Sequence, residues 1–277
     1  MKKIIALLSL SIFFISCEKT DEISNDSQPP SNFFLKELLG EENYIDYDSS
    51  IDITGTVNLT PYEPEIDEGS MNISASFSEA DQVGGILIND RILVSKNDGY
   101  YKDYSSEQNE QLAIDKAELF GNTIKLKTID TNEASPYFNL ALEAALTSRM
   151  EHFEVEGLEA LDADVGKTHS VIRSNGNLEF RWSVTGNPDE NMMLIVYESK
   201  DVGNGNAPKQ LLKRFKNSDG AINISGAELN KTFVDDSDLI FMFVKGKQVV
   251  NAIPPSNKIF SVNSMEFINY TGIKFVK

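Results

Sequence analysis

The side chains most often used for chemistry are scarce in this chain, which has one cysteine and two histidines among 277 residues. Cys17 has no second cysteine to pair with, so an intramolecular disulfide and a cysteine-ligated metal cluster are both excluded. His152 and His169 stand in neither HExxH nor HxH spacing, which argues against a histidine-rich zinc site. A catalytic triad would have to use one of these two. We expect both to be ordinary surface or hydrogen-bonded histidines.

Carboxylates are abundant, with 43 Asp and Glu residues in the chain. A glycosidase pair consists of two such groups that meet in space at about 5–10 Å, and spacing along the chain does not reveal it. The runs Asp162–Asp164 and Asp235–Asp238 offer the oxygen ligands that Ca²⁺ prefers, but neither continues as an EF-hand loop with its glycine and distal glutamate. Solvated turns are the default interpretation of both runs.

Nucleophile and phosphate motifs are also missing from the sequence, which contains no GxSxG, GxGxxG or Walker pattern. The glycines Gly84-Gly85 and Gly203-Asn204-Gly205 lack the neighbouring residues that would hold a phosphate. The sequence therefore predicts no catalytic residue, no metal site and no cofactor, and indicates that the protein is not an enzyme.

The first 16 residues have the layout of a secretory signal peptide. Lys2 and Lys3 precede an uncharged, apolar run, Ile4–Ile15, whose length fits the roughly 7–15 residues of a signal-peptide core. The run is too short to cross a membrane, because a spanning helix needs about 20 apolar residues and charges begin at Glu18. We expect residues 1–16 to be removed.

The charge balance limits the class of partner. Removal of Lys2 and Lys3 takes the formal net charge from −18 to −20. So large an acidic excess argues against binding nucleic acid and against an electrostatic grip on anionic lipid headgroups.

The residues Phe14-Ile15-Ser16-Cys17 resemble a bacterial lipobox, in which a small residue precedes the cysteine that is acylated and begins the mature chain. Phe14 departs from the usual leucine. The resemblance implies that Cys17 is the lipid attachment site, carrying palmitate. The alternative is a chance cysteine beside an ordinary secretory cleavage site.

The residues that follow the cysteine, Lys19, Asp21 and Glu22, resemble the acidic surface-export tag of Bacteroidetes-type surface lipoproteins. That resemblance implies a lipid-anchored protein of the outer membrane that faces the cell exterior. The alternative is a solvated tether without an export role.

Residues 17–49 are expected to form a lipidated tether and a short helix. The segment 18–31 is almost wholly polar, which is typical of a flexible linker. Ser31 or Asn32 can cap a helix over Phe33–Leu39, and Gly40 is placed to end it. We expect the apolar face of this helix to pack against the first domain, and an exposed patch for a partner is the alternative.

Beyond residue 50, apolar residues alternate with polar ones and turn formers separate the runs, which is typical of half-buried antiparallel strands. Met71–Phe77 is such a strand, and Asn89-Asp90 joins two apolar runs as a tight hairpin. Residues 50–132 are predicted to form an N-terminal β-sandwich. The polar, proline-ended stretch at 130–136 is the best boundary.

Residues 133–277 are predicted to form a second β-sandwich. Its clearest strand is Leu178–Thr185, where apolar and polar residues alternate, while Met192–Tyr197 and Leu239–Val244 are apolar enough for central strands covered on both faces. Further strands are expected within 138–146, which also has helix propensity, and at 222–224, 259–262 and 273–276.

The succession WSV, MLIVYES, GAINISGAEL and LIFMFV resembles immunoglobulin-like or fibronectin-type-III-like domains of Bacteroidetes-type surface lipoproteins, over roughly residues 150–277. The resemblance rests on patterning, and the cysteines of a true immunoglobulin disulfide are absent. The predicted fold class is thus mainly β, with two tandem antiparallel β-sandwich domains behind a cleaved lipoprotein signal peptide and a flexible tether.

Trp182 is the only tryptophan. It alternates in phase with Leu178, Phe180 and Val184, and side chains two apart on a strand share a face, so we expect Trp182 to be buried with them. The alternative is an exposed ring on which a sugar stacks.

Two classes of function remain. The first is a non-catalytic, lipid-anchored surface module that binds a glycan or protein ligand, which the tether, the sandwiches and the missing catalytic motifs favour. The second is a membrane-anchored hydrolase that uses dispersed carboxylates. A structural spacer subunit of an outer-membrane complex is a third, simpler possibility. The sequence does not identify the residues of a ligand site.

Overall fold

The structure is a computed structural model, and it describes residues 31–45, 53–61, 71–77, 85–95, 101–102, 119–130, 133–134, 137–163, 167–201, 209–253 and 258–277. The described chain is mainly β, with mostly antiparallel strand pairing and sheets packed in layers, so the predicted mainly β, antiparallel architecture is confirmed. The signal peptide and tether lie outside the described residues.

Helix α1 spans Ser31–Leu39 and helix α2 spans Gly226–Thr232. The strands of the N-terminal half are β1 (Ile53–Pro61), β2 (Met71–Phe77), β3 (Gly85–Ile88), β4 (Arg91–Ser95), β5 (Tyr101–Lys102), β6 (Thr123–Ile129) and β7 (Ala141–Ala145). Those of the C-terminal half are β8 (Glu151–Glu156), β9 (Glu159–Ala163), β10 (Lys167–Arg173), β11 (Asn177–Ser183), β12 (Asn191–Glu198), β13 (Gln210–Lys216), β14 (Ala221–Ser225), β15 (Ser237–Ile253) and β16 (Lys258–Val276). Short 3-10 turns follow β12 at Ser199–Asp201 and β13 at Asn217–Asp219.

Most of the strands belong to one continuous sheet with the order β13-β12-β15-β16-β1-β2-β5-β4-β3-β6-β7, to which β10 and β9 add beside β16. A three-stranded sheet, β14-β11-β8, forms the facing layer over the C-terminal half. Strand β16 pairs in parallel with both β1 and β10, which differs from the purely antiparallel arrangement expected from the sequence. A hydrophobic pattern has a period but no direction, so it does not distinguish the two pairings.

The hairpin of β15 and β16 runs through both halves of the molecule. The strands predicted at 259–262 and 273–276 are the two ends of the single strand β16, and Leu239–Val244 is only the start of β15. The prediction of separate strands was wrong because polar residues such as Ser264 and Glu266 interrupt the apolar pattern while backbone pairing continues.

One face of this hairpin supports two hydrophobic cores. The first core combines residues of β1, β2, β3, β6 and β7, such as Leu59 and Ile86, with Phe260 and Val262 of β16. The second core places Phe180 of β11 against residues of β15 and β16 nearer the chain end. The domain division at residues 132 and 133 stays a prediction, to which the structure adds that C-terminal residues complete the first core.

Helix α1 covers the opposite face of the C-terminal sheet. It ends at Leu39, directly before Gly40, whose φ is +83° and whose N–H donates to the Lys36 carbonyl at 2.9 Å, as the sequence predicts. Leu35 and Leu38 are buried against a patch that includes Met193 and Met242, so the expectation that the helix packs on the first domain was wrong. Since β12 is apolar on both faces, its second face needs a cover.

The sequence pattern predicts the local elements correctly where its period is clear. Strand β2 coincides with Met71–Phe77 and buries Ile73 and Ala75. Strands β3 and β4 are joined by Asn89 and Asp90, whose φ angles of 48° and 68° are those of a two-residue hairpin turn.

Candidate functional site

A cluster of reactive side chains lies on the β15–β16 hairpin, between the part that packs in the first core and the part that packs in the second. We call it the junction cluster and define it as Thr147, Ser148, Glu190, Lys245 and Glu266, all of which are buried. A lysine next to a serine is a known arrangement for nucleophilic catalysis. The sequence analysis did not identify this group.

The fold brings the cluster together from distant parts of the chain. Lys245 of β15 and Glu266 of β16 are cross-strand partners, with Phe243 of the second core on one side and Val249 beside the first core on the other. Thr147 and Ser148 lie in the connection between β7 and β8, and Glu190 immediately precedes β12. Thus the chain crosses between its two halves directly over the cluster.

The carboxylate of Glu190 contacts three other members of the junction cluster. Its Oε2 atom lies 3.3 Å from Lys245 Nζ, and it accepts from Thr147 Oγ1 at 3.1 Å and Ser148 Oγ at 3.2 Å. The Ser148 N–H also points to this oxygen at 3.4 Å. Lys245 Nζ in turn donates to Ser148 Oγ.

The other members tie the cluster to the surrounding backbone. The Thr147 N–H donates to Ser264 Oγ at 2.9 Å, and the Met150 N–H donates to Glu266 Oε2. Burial lowers the pKa of Lys245, while Glu190 and Glu266 oppose that shift by favouring the charged ammonium. The junction cluster is therefore a buried polar network that lies between two apolar cores.

As it stands, this geometry does not suit catalysis on an external substrate. Ser148 is 4% exposed, and its hydroxyl donates to the Thr185 carbonyl at 2.8 Å and also contacts Glu190. Lys245 has no exposed surface. A substrate would reach Ser148 only if the connection between β7 and β8 opened.

A second candidate is a surface cleft of about 320 Å³ between the end of β12 and the start of β15. Glu198, Lys200 and Ser237 line it together with the predicted acidic run Asp235–Asp238. Ser237 Oγ donates to Glu198 Oε1 at 2.6 Å, and Lys200 pairs with the other oxygen of Glu198. Polar groups thus surround Glu198 on the wall of the cleft.

The state of Glu198 argues against a role as a general acid. Burial alone would raise its pKa, but the hydrogen bonds from Lys200 and Ser237 outweigh that effect and lower it. A glycosidase acid needs a raised pKa, because it must hold a proton at neutral pH.

The acidic run beside the cleft does not converge on one point. Asp236 pairs with Lys274 at 2.9 Å, and Asp235 accepts from the Lys277 N–H at 2.8 Å. Within the described ranges, no group of three or more His, Cys, Asp or Glu side chains is arranged to hold a metal ion. The side chain of Asp162, and Asp164 altogether, lie outside the described residues.

The two histidines lie on strands β8 and β10. His152 is exposed on β8, where its φ of +50° accompanies a shift of register against β11. His169 belongs to β10, and its side chain is outside the described residues.

Trp182 is a core residue, as the strand pattern predicts, whereas Val184, which the pattern places on the same buried face, lies beyond the end of β11 and is 46% exposed. Trp182 is 6% exposed and stacks on Phe153 with ring centroids 5.6 Å apart. Its Nε1–H donates to the Asn217 carbonyl at 3.0 Å. The ring is thereby excluded as an exposed platform for a sugar.

The predicted lipid attachment site Cys17 and the export-tag residues Lys19, Asp21 and Glu22 lie outside the described residues. Their roles stay predictions. In the part of the chain that the structure describes, no helix has the length and apolar character needed to span a membrane.

Comparison with known proteins gives little. No family profile matches the chain, and no curated protein matches it. Among solved structures, it is similar to one described as the crystal structure of a tetra-tandem repeat in the extending region of a large adhesion protein, with 13% identity and a TM-score of 0.22. That alignment covers 78% of this chain and 49% of the other, so the chain spans about half of its length. So low a score carries no information about this chain's function.

Proposed function

We propose that the protein is a non-catalytic, lipid-anchored binding or adhesion module of the outer membrane that faces the cell exterior and takes a glycan or protein ligand. The observation that carries the non-catalytic part is the junction cluster, in which the groups best suited to chemistry are buried and bonded to one another. They join the two cores and are out of reach of a ligand.

The way in which the N-terminal segment meets the body supports an anchored role. Arg214 of β13 donates to the Glu37 carbonyl at 2.7 Å and to its carboxylate at 2.6 Å. The side chain of Gln248 bonds to both the N–H and the carbonyl of Ile45 at 2.9 Å. A tether that leads into α1 would therefore be connected to the folded part of the protein by packing and hydrogen bonds.

The anchored hydrolase is the second candidate, and the cleft at Glu198 is the feature that favours it. The lowered pKa of Glu198 argues against the hydrolase, because it favours the charged carboxylate over the protonated acid. A spacer role would need the same rigid body and no ligand.

A test of binding against turnover separates these functions. The purified protein, applied to an array of glycans and to polysaccharides in solution, should retain a ligand whose chain length is unchanged after long incubation. The variant Glu198→Gln should bind as well as the wild type. Shortening of a polymer by the wild type but not by Glu198→Gln would establish the hydrolase instead, and failure to retain any glycan or surface protein would leave the spacer.

Anchoring is tested separately. Cys17→Ser should abolish incorporation of labelled palmitate and release the protein from membranes, and undiminished labelling would contradict the lipoprotein assignment. Protease added to intact cells should degrade the wild type, whereas replacing Lys19, Asp21 and Glu22 by Ala should protect it. Protection of the wild type would place the protein on the periplasmic side.

A further inference from the structure

The junction cluster also has the geometry for a reaction within the chain. We propose that Lys245 and Glu190 condense to form an intramolecular amide cross-link between their side chains. The proposal concerns a covalent modification and is independent of the proposed binding function.

The two side chains that would react are in contact and buried. Lys245 Nζ lies 3.3 Å from Glu190 Oε2, which is bonded directly to the carboxyl carbon Cδ that the amine would attack. Holding an amine and a carboxyl group side by side in this way favours their reaction by proximity. Met192, two residues beyond Glu190, is the cross-strand partner of Lys245, so adjacent strands fix the approach.

The neighbouring groups are those that such a condensation needs. The Thr147 hydroxyl and the Ser148 N–H both point to Oε2, where negative charge develops when the amine adds to Cδ. Ser148 Oγ contacts both Lys245 Nζ and Glu190 Oε2 and is placed to pass a proton between them. Glu266, across the hairpin from Lys245, is a second carboxylate that can take a proton from the amine.

The reaction balances without another reagent. An ammonium and a carboxylate become an amide and one water, because the N–Cδ bond forms as one Cδ–O bond breaks. One of the three ammonium protons stays on the amide nitrogen, and the other two leave with the oxygen as water. Two buried charges are replaced by a neutral amide, which removes the desolvation cost of the ion pair.

Peptide mapping of the wild-type protein tests the proposal directly. Trypsin does not cut after an acylated lysine, so the cross-link joins the peptide of residues 182–200 to that of residues 232–247. The joined pair should be lighter than the sum of its two peptides by the mass of one water, with fragment ions placing the bond on Glu190 and Lys245. Separate peptides 182–200 and 232–245 would overturn the proposal.

Substitutions of Lys245 and Glu266 test the part that each residue plays in the cross-link. Lys245→Met should abolish the joined pair, and Glu266→Gln should remove most of it while near-ultraviolet circular dichroism shows that the protein is folded. Glu151→Gln, which changes a carboxylate outside the cluster, should leave the pair at its wild-type level. A full yield of cross-link in Glu266→Gln would contradict the part given to Glu266, and if Lys245→Met does not fold, the wild-type map alone decides.

Discussion

Lys245 on β15 faces Glu266 on β16 at the point where the shared hairpin passes from one hydrophobic core to the other. Both side chains are almost fully buried, and the connection between β7 and β8 closes over them through Thr147 and Ser148. Before any condensation with Glu190, the buried Lys245 cation and the two carboxylates nearby hold the two halves of the molecule in one arrangement, because separating them would strand a charge in an apolar site.

Removing the cation should be costly. Lys245→Met leaves Glu190 and Glu266 uncompensated, and we expect a loss of about 3–5 kcal/mol in the free energy of unfolding, measured with urea. The control Lys247→Met, two residues along β15 at a half-buried position, should change stability by no more than about 0.5 kcal/mol. Equal effects of the two substitutions would mean that the junction cluster adds nothing to stability.

Trp182 should report on the second core. Trp182→Ala should cost about 3–5 kcal/mol, the usual loss for a large aromatic side chain removed from a packed interior. Tryptophan emission of the folded protein should be blue-shifted and poorly quenched by iodide, and should become red-shifted and quenchable on unfolding. Red-shifted emission from the folded protein that moves when a saccharide is added would contradict the core position.

Helix α1 should contribute to the stability of the whole body. Leu38→Ala opens a cavity between the helix and the C-terminal sheet, and we expect it to lower the free energy of unfolding by about 2–5 kcal/mol. Lys36→Ala, on the outer side of the same helix, should stay within about 0.5 kcal/mol of the wild type. If Leu38→Ala were as mild as Lys36→Ala, the helix would not be docked in solution.

Glu228 should make stability depend on acid pH. The hydrogen bond from Lys213 and that from the Ser225 N–H lower the pKa of Glu228 from 4.5 to about 2. Because the folded-state pKa lies below the unfolded one, this carboxylate stabilises the fold fully above pH 4.5, and the contribution is lost as the pH falls toward 2.

The variant Glu228→Gln should therefore be less stable than the wild type at neutral pH, and the difference should shrink between pH 4.5 and about 2. Thermal unfolding followed by circular dichroism across that range measures it. Glu143→Gln, an exposed position on β7, should run parallel to the wild type. A difference between Glu228→Gln and the wild type that does not change with pH would show that the ion pair is not formed.

The sequence predicted the local elements well where alternation was clear. Strand β11 and the burial of Trp182 followed from the period of two, and the turn at Asn89 and Asp90 followed from residue types that tolerate positive φ. These features depend on neighbours along the chain, which the sequence contains explicitly.

The shared hairpin and the junction cluster could not be predicted in the same way. Lys245 directly follows the apolar run Leu239–Val244, and a charged residue at that position does not reveal whether the strand ends there or continues. Its partners Glu190 and Ser148 lie far away in sequence, and only pairing between strands brings them to it. A lysine that directly continues an apolar strand was the one available signal.

The shared hairpin should make the two cores one cooperative unit, which differs from two tandem sandwiches that unfold independently. Differential scanning calorimetry of the purified protein tests this most directly. We expect a single transition in which the calorimetric enthalpy equals the van't Hoff enthalpy, because β15 and β16 supply residues to both cores. Two resolved transitions, or a calorimetric enthalpy well above the van't Hoff value, would contradict a single body and would show that the halves on either side of residue 132 fold separately.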